Sequence, residues 1–143
     1  MIIKWGKWYS FKYLEEKDFK CVPPKSGVYQ IRCAINGKPI PINRVKDTDK
    51  EGILYIGGTK SLRGRIRAFW RGIHKKSGSF NHTAARTYVT YNYSEKFPMC
   101  CLEVRWAEID DPRDALSVEK KLLDEYIEKY LDKPPLNLSI RRG

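Results

Sequence analysis

No stretch of the sequence is apolar for long enough to cross a bilayer. The opening, Met1-Ile2-Ile3-Lys4-Trp5, has too few apolar residues for a secretory leader. No basic amphipathic anchor stands out, so a membrane partner is not expected. The expectation is a soluble protein of the cytoplasm, working on the nucleoid or in a nucleus. Internal repeats and low-complexity linkers are also missing. Cysteine is sparse: Cys21, Cys33, Cys100 and Cys101 form no C-x-x-C pair, and the adjacent pair is a poor start for a zinc cage. Buried, reduced thiols are expected. Acids are in deficit, 17 against 28 lysines and arginines, for a net charge of +11. That surplus suits a polyanion, whose phosphates release counterions on docking.

What remains is a chain of 143 residues, 41% hydrophobic and 13% aromatic, enough for one domain around one core. Residues 1–25 interleave Trp5, Trp8, Tyr9, Phe11, Tyr13 and Phe19 with lysines. They read as an N-terminal extension packed on a domain spanning 26–143, with a base-stacking platform as the alternative. Gly27–Ile35 reads as a strand, and Asn36-Gly37 after it is a hairpin-turn signal. A polar segment with Pro39, Pro41, Asp47 and Asp49 leads to a second strand over 52–57. Ser61 can cap a helix running to about Gly72. Ser77–Asn81 is a loop, and 82 to about 93 a second helix. Cys101–Ile109 alternates as a third strand. Asp110-Asp111-Pro112 starts a helix that runs to about Leu131 and is stopped by Pro134-Pro135. A basic tail, Arg141-Arg142, follows. The predicted fold is α/β (α+β): a small three-stranded sheet with flanking helices.

Two charged residues break their helices' patterns. On a wheel of the last helix, Ala115, Leu116, Leu122, Leu123, Tyr126, Ile127 and Tyr130 form an apolar arc, and Glu119 falls in its middle. A carboxylate aimed at a core costs several kcal/mol unless a metal ion, an arginine or a substrate-lined cleft meets it. A structural salt bridge or a displaced register would account for it equally. In the earlier helix Leu62, Ile66 and Phe69 face inward, Arg63 and Arg67 lie on the outer flank with Trp70, and Arg65 borders the apolar stripe. A guanidinium at a cleft edge suits bidentate grip of a phosphate.

Gly27-Val28-Tyr29 followed by Tyr55-Ile56-Gly57 resembles the signature of the GIY-YIG endonucleases. Members carry an arginine ten positions past the second tyrosine, here Arg65, and a metal-binding glutamate in a later helix, here Glu119. They carry an asparagine soon after that helix, here Asn137 in PPLN, and some have a histidine after the arginine helix, as His82 in FNHT. The resemblance covers about residues 26–138. Two features depart from it. The usual histidine or tyrosine four positions past the arginine is Phe69, which carries no proton. The segment between the tyrosines is longer than in the minimal domain, as it is in restriction endonucleases of the family.

The resemblance implies a metal-dependent endonuclease acting on nucleic acid, DNA before RNA, as a monomer or weak homodimer. It implies that Glu119 holds one divalent ion, Mg²⁺ or Mn²⁺, and that Arg65 stabilises charge on the phosphoryl oxygens. Tyr29 is the expected base, with Tyr55 orienting water or phosphate. Asn137 would position substrate or brace the site, and His82 would stand in as a proton carrier. Lys60, Arg63, Arg67 and Arg71 are expected phosphate contacts, and His74 is expected to be solvated or phosphate-facing. The rivals are a catalytically impaired binding module of the same fold, and a scaffold in which Glu119 pairs with Arg65.

Overall fold

The structure is a computed structural model that describes residues 3–75 and 82–137. The loop expected over Ser77–Asn81 and the tail Arg141-Arg142 lie outside the described residues. Strand β1 (Tyr9–Ser10) and helix α1 (Phe11–Glu16) precede β2 (Gly27–Ile35). Two-residue strands β3 (Lys38–Pro39), β4 (Ile42–Asn43) and β5 (Thr48–Asp49) lead to β6 (Ile53–Thr59). Helices α2 (Leu62–Ile73) and α3 (Thr83–Thr90), strand β7 (Leu102–Glu108) and helix α4 (Pro112–Tyr130) complete the order.

The three long strands are those expected, but among the described residues the sheet has five. β2 is central, antiparallel to β6 on one side and β7 on the other. β1 adds to the outer edge of β7, and β3 folds back on the end of β2 through Asn36-Gly37, both at positive φ. Two positive φ angles are what a type I′ hairpin turn requires. Both faces of the sheet are covered, so β2 reads as an almost unbroken buried run. Tyr29, Ile31 and Cys33 face Leu62, Ile66 and Phe69 of α2, while Val28 faces Val118 of α4.

Helix α4 starts where the Asp111 carboxylate accepts the Arg113 N–H, with Pro112 in the first turn. Its buried stripe is narrower than the wheel suggested. Ala115, Val118, Tyr126 and Tyr130 are buried, but Leu116 and Ile127 are 53% and 36% exposed. The helix rests on β6 and β2. The long segment between the tyrosines is pinned to α4 by Asp49. Its buried carboxylate accepts the N–H groups of Glu51, Gly52 and Ile53 and, at 2.7 Å, the Tyr126 hydroxyl.

The N-terminal residues complete the core, with Phe11, Leu14, Phe19 and Val22 buried. Each large apolar side chain so placed contributes roughly 1.5–3 kcal/mol. They also relocate Trp70 from the expected outer flank to the interior. It stacks on Phe11 at 5.2 Å and donates its indole N–H to Glu15. The thiols divide: Cys33 is buried and Cys101 half-buried, but Cys21 and Cys100 are exposed, because they sit in turns beyond α1 and before β7.

Candidate active site

The register of β2 against β6 sets Tyr29 opposite Gly57 and Ile31 opposite Tyr55. The two phenol rings therefore share one face, with centroids 5.8 Å apart. Gly57 makes the room between them: a Cβ there would lie 2.7 Å from Tyr55 Cε2 and 2.8 Å from Tyr29 Cζ. Gly58 does the same for the other face. A Cβ there would lie 2.9 Å from both the Ala115 carbonyl oxygen and Glu119 Cβ, so α4 approaches the strand without a spacer. At that contact the Gly58 N–H lies beside the half-buried Glu119 carboxylate and favours its ionised form.

The outer edge of β6 is closed by side chains and backbone from late in the chain. Leu54 O accepts the Leu136 N–H. The Asn137 amide pairs with both backbone groups of Ile56, accepting at 3.1 Å and donating at 3.0 Å. Gly58, two residues further along the same edge, meets Glu119. Asn137 thus braces the strand that carries Tyr55.

His82 is not the surface histidine its loop position allowed. It is 1% exposed and caps α3, which is shorter than expected because Tyr91 ends the helix and Asn92 turns left-handed. Its Nδ1 accepts the Ala84 N–H at 3.2 Å, and its Nε2 lies 2.7 Å from the Tyr29 hydroxyl. Burial first, and the Arg65 charge second, lower its pKa to about 3. A neutral ring whose Nδ1 is an acceptor carries its proton on Nε2. His82 therefore donates to the Tyr29 oxygen. Phe69, fully buried, packs edge-on against His82 at 5.5 Å and forms the wall beneath it.

Tyr29, Tyr55, Glu119 and Arg65 feel one another's charge. Burial raises Tyr29 well above the usual phenol range, with Tyr55 and Glu119 adding to the effect; Arg65 opposes it by charge and a hydrogen bond. Burial and then Glu119 push Tyr55 up to about 12, against Arg65 and a hydrogen bond with Tyr29. Burial also raises Glu119, against the Gly58 N–H and Arg65. Tyr29 is 1% exposed, while Tyr55 is only partly buried. Among the described residues no group of three or more histidine, cysteine or acidic side chains is placed to hold a metal. Glu119 is the acid that borders the two phenols.

The other basic candidates lie elsewhere. Arg63 turns away and donates Nε to Val22 O at 2.8 Å, holding the N-terminal segment on α2. Arg67 lies over the Phe19 ring. Arg71 and Lys60 are exposed, and so is His74, whose Nδ1 is engaged by Trp70 O at 2.7 Å. Sequence reading missed Asp49, although an aspartate three residues before a glycine is a recognisable turn signal.

The family model of GIY-YIG domain-containing proteins matches residues 9–131. No curated protein and no solved structure gives a match.

Proposed function

The chain belongs to the GIY-YIG family, and from that premise we propose that it is an endonuclease that hydrolyses phosphodiester bonds in DNA with the help of a divalent cation. The observation that carries the reading is the convergence of Glu119, Arg65, Tyr29, Tyr55 and His82 from five separate elements and junctions on one spot at the β6 edge. A scaffold has no need of a half-buried carboxylate beside two buried phenols, since burial disfavours its ionised form and so costs the fold.

The donor set suits a hard cation. Glu119 offers a single carboxylate, and Mg²⁺ or Mn²⁺ commonly takes one or two carboxylates, with substrate phosphate and water completing the shell. When bound there, such an ion supplies polarisation of the phosphate and stabilisation of the leaving oxyanion. Arg65 neutralises charge growing on the phosphoryl oxygens and makes both phenols easier to ionise. Burial favours Tyr55 over Tyr29 as the group that takes the proton of the attacking water. Tyr55 is the more open phenol, and Tyr29 stands behind it, held by the His82 donor. His82 thus supplies the polar contact that Phe69 cannot make, which favours an active enzyme over an impaired binding module.

The test is nicking of supercoiled plasmid with Mg²⁺ or Mn²⁺, with EDTA, and with Glu119→Gln. Cleavage by the wild type should vanish with EDTA and fall by about 10³-fold or more in the variant, because the metal ligand and not a packing residue is lost. Glu119→Gln should still fold and bind DNA. A wild-type chain that leaves plasmid and a matching RNA intact with either metal overturns the reading.

A further inference from the structure

Helix α2 contains no acidic residue, and one side of it is patterned. Gly64, Ala68 and Gly72 recur every four residues, beside a parallel row of Arg67, Arg71 and Lys75. These six line a groove of about 300 Å³. Residues four apart in a helix lie on one side, about 6 Å apart along the axis. Arg65 follows Gly64 on the same helix, so α2 carries both the groove and one residue of the candidate centre.

Three details point to a ligand that approaches this face. First, Gly64 is exposed, and a Cβ there would crowd only the capping Ser61 side chain, 3.3 Å from its Oγ, which would have to give by a few tenths of an ångström. A glycine inside a helix costs roughly 0.5–1 kcal/mol relative to alanine. Second, Arg67 Nε is buried and has no hydrogen-bond partner among the described residues, while the residue lines the groove. Third, Arg63 is committed to the Val22 and Lys20 carbonyls, whereas Arg71 is exposed.

We propose that this groove is the track along which one phosphate backbone of a DNA duplex runs into the Arg65–Glu119 centre. Arg67, Arg71 and Lys75 take successive phosphates, and the small residues let the backbone approach the helix closely. The proposal rests on the nuclease reading above and adds where the substrate lies.

The experiment measures binding of a short mixed-sequence DNA duplex to the full chain in EDTA, by fluorescence anisotropy across a salt series. Arg71→Gln with Lys75→Gln should weaken binding at least tenfold and reduce the slope of log affinity against log salt by about 1.8, the effect of two lost phosphate contacts. Lys120→Gln with Lys121→Gln removes the same charge from exposed positions of α4 and should leave the slope unchanged. Ala68→Met adds bulk without charge, and should weaken binding several-fold at an unaltered slope. Thermal melts on each variant check that it folds. An α2 double variant that matches the α4 double variant, or an Ala68→Met chain that binds as the wild type does, overturns the track. If the wild type still nicks plasmid in that case, the nuclease reading survives. If it neither binds nor nicks, both fall.

Discussion

Acidifying the chain from neutral towards pH 4 tests the placement of His82 without any assay of activity. The ring is 1% exposed and its pKa is lowered from 6.5 to about 3. Below about pH 6.5 the unfolded chain binds a proton at this ring, but the folded chain does not until about pH 3. Stability therefore rises with pH inside that window and is lost as pH falls through it. At about 1.4 kcal/mol per unit, the full window is worth about 5 kcal/mol, and about 3 kcal/mol is gone by pH 4. That is a large part of the 5–15 kcal/mol that holds a typical domain together. Urea unfolding of the wild type and of His82→Asn, from pH 7 to pH 4, isolates the ring from the carboxylates that titrate in both chains. Asparagine keeps an oxygen for the Ala84 N–H but does not titrate. The stability difference between the two chains should shift by about 3 kcal/mol against the wild type across this range. Nitrogen NMR should show the proton on Nε2 throughout. A ring that titrates near 6.5, a proton on Nδ1, or a pH-independent difference would refute the reasoning.

Three further outcomes are expected. Tyr55→Phe should cost more in kcat than Tyr29→Phe, by about tenfold or more, measured by plasmid nicking at saturating metal; equal losses would count against Tyr55 as the water-facing phenol. Asn137→Ala strips both backbone partners from Ile56 at a buried edge and should destabilise the fold by roughly 2–4 kcal/mol in urea unfolding. Gly57→Ala drives a methyl group between two packed rings, and should cost roughly 1–3 kcal/mol and disturb the near-ultraviolet signal of the tyrosines.

Long periodic segments were legible because their local and tertiary demands agree. β2, α2 and β7 lie within a residue or two of where alternation and capping put them. The centre was legible where a residue offended its surroundings: Glu119 in an apolar arc can be seen without coordinates. His82 carried no such signal, because the partners that bury it, Tyr29 and Phe69, lie 53 and 13 residues away in sequence. Trp70 was placed on the wrong flank for the same reason, since a helix wheel does not know that α1 returns to cover it. The family resemblance marks Asn137 as a residue that positions substrate or braces the site. The two bonds it makes to Ile56 belong to tertiary structure, and only those assign it to the strand.

The edge of β6 has a consequence for the order of synthesis. Tyr29, Tyr55, Arg65 and His82 leave the ribosome first, together with the basic face of α2. The carboxylate at 119 and the amide at 137 emerge only afterwards. A nascent or truncated chain ending before α4 would display its positive surface while lacking both the acid and the clasp on the tyrosine strand. On the nuclease reading, such a fragment would hold nucleic acid without cutting it.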